Sequence, residues 1–206
     1  MKRTYTMRSR ADAVAGTRLR ILRAVRELAE ESFDLDPTLE AIAARAAVSV
    51  QTVLRHFGTR DALLGAAIAA GLDETRDERR VPVGDVAAAV RTVVAHYERR
   101  GDFMLHLIGH ERDDPRFAAI TGPGRDLHRA WVAEVFAPFR PGSAASASAS
   151  SESESGSGGE LLDLLAVATD LFTWKLLRRD RGLSRAATEA RMRRLTEAVL
   201  ATGSTR

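Results

Sequence analysis

Thr38-Leu39-Glu40-Ala41-Ile42-Ala43-Ala44-Arg45-Ala46-Ala47-Val48-Ser49-Val50-Gln51-Thr52-Val53-Leu54-Arg55-His56-Phe57 is the stretch that decides how the 206-residue chain is read. It predicts two short helices joined by a tight turn. Thr38 is placed to N-cap the first helix, and Glu40 puts a carboxylate in its first turn. Leu39, Ile42, Ala43 and Ala46 share one face by spacings of three and four. Val48 falls in the turn. Ser49 is a second N-cap and opens a helix from Val50 to Phe57. In that helix Val53 and Phe57, four apart, face inward together. Val50, Gln51, Thr52, Leu54, Arg55 and His56 then point elsewhere. An outward face carrying Gln, Thr, Arg and His suits an element that enters a DNA major groove with its N-terminal residues. An ordinary αα-hairpin with a polar outer face is the alternative.

The run Ile42-Ala43-X-X-Ala46-X-Val48-Ser49, followed by Leu54-Arg55-His56-Phe57 and Asp61-Ala62-Leu63-Leu64, favours the first reading. It resembles the DNA-binding domain of the TetR family over roughly residues 17 to 70. The resemblance implies an all-α homodimer: an N-terminal three-helix helix-turn-helix head, and a larger C-terminal helical body that binds a ligand and dimerises. The body matches only in general pattern. Val50, Gln51 and Thr52 stand where relatives read base edges. Gln51 can pair with adenine, and Thr52 or Val50 can touch a thymine methyl. Arg55 and His56 resemble backbone-contacting positions, with a guanine also within reach of Arg55. Ser49 opens this helix and belongs to the same set. Arg60 stands where the family often has a phosphate-contacting Lys, and Thr38 is a further phosphate candidate.

Three positions depart from the family pattern. Ser32 replaces a common Gly. Ala47 stands in a turn that often holds Gly, which takes φ > 0 at no steric cost. Leu54 replaces a common Tyr, whose hydroxyl reaches a phosphate, so one backbone contact is lost or taken over by Arg55.

Composition bounds the rest. Hydrophobic residues make up 45% and charged residues 29%, a globular balance. Net charge is only +3, so basic character is local. Lys2, Arg3, Arg8, Arg10, Arg18 and Arg20 face Asp12 alone in the first twenty residues. Residues 1–16 read as a flexible basic arm, either reaching phosphates or the minor groove or simply a frayed terminus. With no cysteine there is no disulfide, thiolate metal site or Cys nucleophile. No long apolar run predicts a membrane span, and no apolar stretch follows the N-terminal charges as in a secretory signal. The expected compartment is the cytoplasm, with no membrane partner.

In order, the pattern predicts a head over residues 17–64 and a body over residues 65–206. The first helix is expected from Thr17 to Ser32, with Ile21, Leu22, Val25, Leu28 and Ala29 apolar and Phe33 tucked back against the following pair. A helix from Arg60 links head to body. The charges from Asp73 to Arg80 read as a solvated helix end. Asp85 caps a helix that Gly101-Asp102 is expected to stop. Phe103–His110 reads as a separate short helix. Asp113-Asp114-Pro115 opens another, with Thr121-Gly122-Pro123-Gly124 expected to interrupt it. Residues 142–159, almost all Ser, Ala, Gly and Glu, read as a flexible loop. Residues 160–179 predict one helix apolar nearly all round. A last helix from Ser184 carries a four-three-four seam.

Two such helices from each of two chains would form a four-helix bundle resembling the family's dimer interface. Leu164, Leu165, Leu171, Met192, Leu195 and Val199 are its candidates. Tyr97, Phe103, Met104, His106, Leu107, His110, Phe117, Trp131 and Phe172 are candidates for a pocket taking a small apolar or aromatic ligand. His96 and His128 read as surface or pocket-edge residues. His106 and His110, four apart, lack a third metal ligand by sequence. No phosphate loop, nucleophile elbow or paired-carboxylate motif is present, so neither an enzyme nor a cofactor is expected. The reading is a one-component regulator, a repressor binding a palindromic double-stranded operator as a dimer and released by a small molecule. A DNA-binding regulator without an effector, or a helical adaptor that keeps only the fold, are the alternatives.

Overall fold

The computed structural model describes residues 2–140 and 154–203, and every regular element in them is helical. Two units separate, Met1–Glu74 and Thr75–Arg206. The first unit holds α1 (Lys2–Ser32), α2 (Leu39–Arg45), α3 (Val50–Phe57) and most of α4 (Arg60–Glu78). Its core is the expected one. Ile21, Leu22 and Val25 of α1 pack with Ile42, Ala43 and Ala46, with Val53, and with Leu63 and Ala67. α1 begins far ahead of Thr17, because the preceding residues contain no proline and many good helix formers. Residues 2–16 of the expected flexible arm are therefore helical.

Phe33 does not tuck back. It takes φ +55° and is 41% exposed. A residue in the left-handed region turns the chain out of α1, and Asp34 Oδ1 then accepts from Asp36 N–H at 2.8 Å. That turn throws the ring outward.

The second unit contains α5 (Val86–His110), α6 (Pro115–Val135), a 3₁₀ turn (Ala137–Phe139), α7 (Glu154–Ala168), α8 (Leu171–Lys175) running into a π turn (Leu176–Asp180), and α9 (Arg185–Gly203). α5 lies at the centre, against α6, α8 and α9. Val90, Val93, Val94, Tyr97, Trp131, Phe136, Leu165, Trp174 and Met192 form its core.

Four expectations are corrected here. Gly101 does not stop α5; it is buried in the middle of it. A Cβ at Gly101 would lie 2.5 Å from Cζ3 of Trp174, so glycine is there to admit the indole. Pro123 does not interrupt α6. Thr121 and Arg125 bracket it, and both donate to the Glu111 carboxylate, which their hydrogen bonds hold below the usual carboxylate range. Residues 160–179 are not one helix. The chain breaks at Thr169-Asp170, where Asp170 accepts from Phe172 N–H at 2.7 Å and caps α8. The expected loop at 142–159 is helical from Glu154 onward, and its earlier part lies outside the described residues.

Candidate nucleic-acid interface

Two side-chain caps and one strained residue build the head's outer face. Thr38 Oγ1 accepts from Ala41 N–H at 3.1 Å and starts α2. Ala46 ends α2 in the right-handed region, and Ala47 follows with φ +53°. Val48 N–H then donates to Ala43 O at 2.9 Å, which closes the turn. Ser49 Oγ accepts from Thr52 N–H at 3.1 Å and shares a hydrogen bond with Thr52 Oγ1 at 2.9 Å. α3 is thus aimed by Ser49 at one end. Val53, fully buried, anchors its middle.

At the other end Arg18 holds α3 down. Its guanidinium donates to His56 O at 3.2 Å and lies over the Phe57 ring at 4.3 Å. Arg45 ties α2 to α1 through Glu31 at 2.7 Å and Glu27 at 3.4 Å. The hydrogen bond to Arg45 lowers the Glu31 pKa. Neither tie was legible in the sequence, since residues so far apart meet only through the fold.

The outward set then sorts itself. Ser49, Gln51, Leu54 and Arg55 are exposed, while Val50, Thr52 and His56 are half-buried. Ser49, Gln51, Thr52, Leu54 and Arg55 line one open groove along α3. Thr38 is exposed, but its hydroxyl already serves the cap. Arg60, expected at a phosphate, instead turns onto Pro37 O at 3.0 Å and pairs with Asp36. It braces the loop before α2 and is not a spare cation.

In the second unit the expected pocket residues divide, and Tyr97, Met104 and Trp131 share the unit's core. Tyr97, Leu107 and Trp131 are buried, and Phe103 and Met104 are half-buried. His106, His110 and Phe117 form a separate ring cluster, the two imidazoles 4.3 Å apart. Among the described residues no group of three possible ligands is placed to hold a metal ion. Phe172 is 53% exposed and lines nothing inside. His96 and His128, expected near the surface, are both buried. Burial first, and Arg79 second, hold the His96 pKa down to about 3 and that of His128 to about 4. Arg79 itself, read as part of a solvated charge run, is buried.

The dimer candidates divide as well. Leu165, Leu171 and Met192 are in the unit's own core, and Val199 packs partly against it. The first three are therefore not available to a partner. Leu164 and Leu195 are exposed, joined by Val167 and Leu176, which sequence did not single out, and by Phe172. An all-round apolar helix does not announce which side faces out.

Residues 21–67 match the family model described as "Bacterial regulatory proteins, tetR family". The match spans α2, α3 and the parts of α1 and α4 that form the head's core. No curated protein matches the chain.

Proposed function

We propose that this chain is a DNA-binding transcriptional regulator of the tetR family, whose model residues 21–67 match, and that it acts in the cytoplasm as a homodimeric repressor that a small molecule releases from a palindromic operator. The observation that carries the DNA contact is α3 itself. It packs Val53 inward and presents Gln51, Leu54 and Arg55 along one open groove. Gln51 pairs with adenine, Arg55 with guanine or a phosphate, and Val50 or Thr52 with a thymine methyl. Thr38, Ser49 and His56 complete the surface that lies against the backbone.

Dimerisation is supported by the exposed apolar residues Leu164, Val167, Phe172, Leu176 and Leu195 on α7, α8, the π turn and α9. Covering these side chains removes apolar area from water. Two heads then engage half-sites about 34–36 Å apart. α4 supplies residues to both units, so it is the element through which a ligand in the body alters the heads. The ligand need only bind the DNA-incompetent arrangement more tightly.

The test is fluorescence anisotropy on DNA from the gene's own upstream region over a salt series, beside a Gln51→Ala/Arg55→Ala double variant. Binding tighter than to random DNA, weakened by salt and lost in the variant is the expected result. Equal binding to random DNA and to fragments selected genome-wide would sink operator recognition. Sedimentation of Leu164→Glu/Leu176→Glu tests the dimer, with a shift to monomer expected.

A further inference from the structure

α3 must do two things with eight residues. It has to hold its shape, and it has to keep one orientation while its outer side chains meet a groove. The first is local. Both side-chain hydrogen bonds of Ser49 end on Thr52, so they shape the helix without tying it to the rest of the head. Val53 is buried, and Val50 and Phe57 pack partly against the same core. Apolar burial is non-directional. It fixes the depth of a short helix better than its tilt.

A directional tie comes from α1. Arg18 Nη1 donates to His56 O at 3.2 Å. Among the described residues it is the one hydrogen bond that joins α3 to another helix. The carbonyl belongs to the last turn, where C=O groups lack partners inside the helix and a cation is favoured. The same guanidinium lies over the Phe57 ring at 4.3 Å. One planar group therefore grips two successive residues, the first by its backbone and the second by its ring. Arg26, Arg45 and Arg60 of the same unit instead pair with carboxylates. Arg18 has no carboxylate partner among the described residues, and both of its contacts go to α3.

We propose that Arg18 is a positioning residue for operator recognition: it clamps the C-terminal end of α3 and so sets how sharply the helix discriminates between base pairs, without itself touching DNA. This rests on the DNA-binding reading above. Gln51 and Arg55 satisfy a base edge only when donor and acceptor come within about 3.2 Å and in line. A helix free to tilt about Val53 loses that alignment. Contacts to phosphates carry no sequence information and tolerate the tilt.

The test uses the full chain as wild type, Arg18→Met and Arg18→Lys. Fluorescence anisotropy is read over a salt series on three kinds of duplex: the one the wild type binds best, a set carrying each single base-pair change in one half-site, and a scrambled duplex of the same composition. Arg18→Met keeps the aliphatic stem and the helix propensity. It should melt within a few degrees of wild type and bind the operator about tenfold more weakly. Its affinity for the scrambled duplex should stay within about twofold, at the wild-type salt slope. The penalties for single base changes should flatten. Arg18→Lys keeps the charge but not the planar face, so it should recover only part of the discrimination.

If operator and scrambled duplex weaken together, Arg18 is a phosphate contact where the salt slope also falls, by about two per dimer, and a plain stability determinant where it does not. Either result would overturn the proposal. So would undiminished penalties in Arg18→Met, or full recovery in Arg18→Lys, where charge alone would suffice. If Arg18→Met loses its helical circular dichroism, Arg18→Lys decides alone, flattened penalties supporting the clamp and wild-type penalties overturning it. A wild type that prefers no duplex over scrambled DNA loses the regulator reading, whereas one whose discrimination survives without Arg18 loses only this inference.

Discussion

Replacing Gly101 by Ala is expected to destabilise the body, although alanine is the better helix former. In the interior of α5 the change gains about 1 kcal/mol of helix propensity. Against that, the new Cβ would lie 2.5 Å from Cζ3 and 2.6 Å from Cη2 of Trp174. Carbon atoms normally rest about 3.5–4.0 Å apart, so two ring atoms must retreat by about 1 Å. The indole has nowhere to go. It is fully buried, its Nε1–H donates to Glu98 at 2.9 Å, and the Arg179 guanidinium covers it at 4.6 Å. Overpacking of this kind costs about 1–3 kcal/mol or more. At the upper end of that range the net loss is about 2 kcal/mol, roughly 4 to 8 °C in melting temperature. Gly109 supplies the control within the same helix. It is exposed, and nothing lies within 4 Å of its Cβ position, so Gly109→Ala should be neutral or stabilising. Urea unfolding followed by circular dichroism at one protein concentration reads both midpoints. Trp174→Phe should couple favourably with Gly101→Ala, since it removes the ring atoms in the way. A Gly101→Ala protein as stable as Gly109→Ala would refute the packing argument.

Ala47→Gly should leave the head unchanged or raise its melting temperature by a few degrees. The left-handed residue costs about 1–2 kcal/mol, and glycine's added freedom in the unfolded chain offsets part of the relief. A clear loss of stability would contradict the turn geometry. Leu54→Tyr should tighten DNA binding and steepen its salt dependence by restoring a phosphate donor; an unchanged anisotropy isotherm would exclude that geometry. The body should lose stability on acidification. The folded pKa values of His96 and His128, about 3 and about 4, lie below the unfolded value of 6.5. Their contribution is therefore complete above pH 6.5 and is lost as pH falls through the folded values. Between pH 7 and 5 each accounts for about 2 kcal/mol at most. Urea midpoints at the two pH values measure the effect, which should shrink in His128→Asn; a flat profile would contradict neutral burial of both rings.

Local chemistry was the legible part of this chain. Thr38, Ser49, Asp85 and Asp114 cap the helices their positions suggest, because a cap is written within three residues of itself. The head's core followed from periodicity for the same reason. Gly101 and Pro123 misled because both residues usually end helices, whereas here packing against Trp174 and bracketing by Thr121 and Arg125 override that tendency. Thr169-Asp170 carried a cap signal that the apolar residues on either side concealed. Arg79 was invisible inside a run of charges, since burial of one member depends on residues far along the chain. The same held for the dimer candidates. Spacing places Leu164 and Leu165 one step apart, and only the packed helices decide that the first faces water and the second the core.

The ion pairs inside the head bear on how the regulator searches a genome. Arg26, Arg45 and Arg60 are each matched to acidic residues of the same unit. Attraction to arbitrary DNA grows with the number of phosphates a protein can neutralise. Cations already matched within the fold add little to it. If Gln51 and Arg55 read bases as proposed, occupancy of the right site depends more on what they recognise than on these arginines. Holding the head rigid with arginines and keeping it discriminating are, in this chain, the same use of those residues.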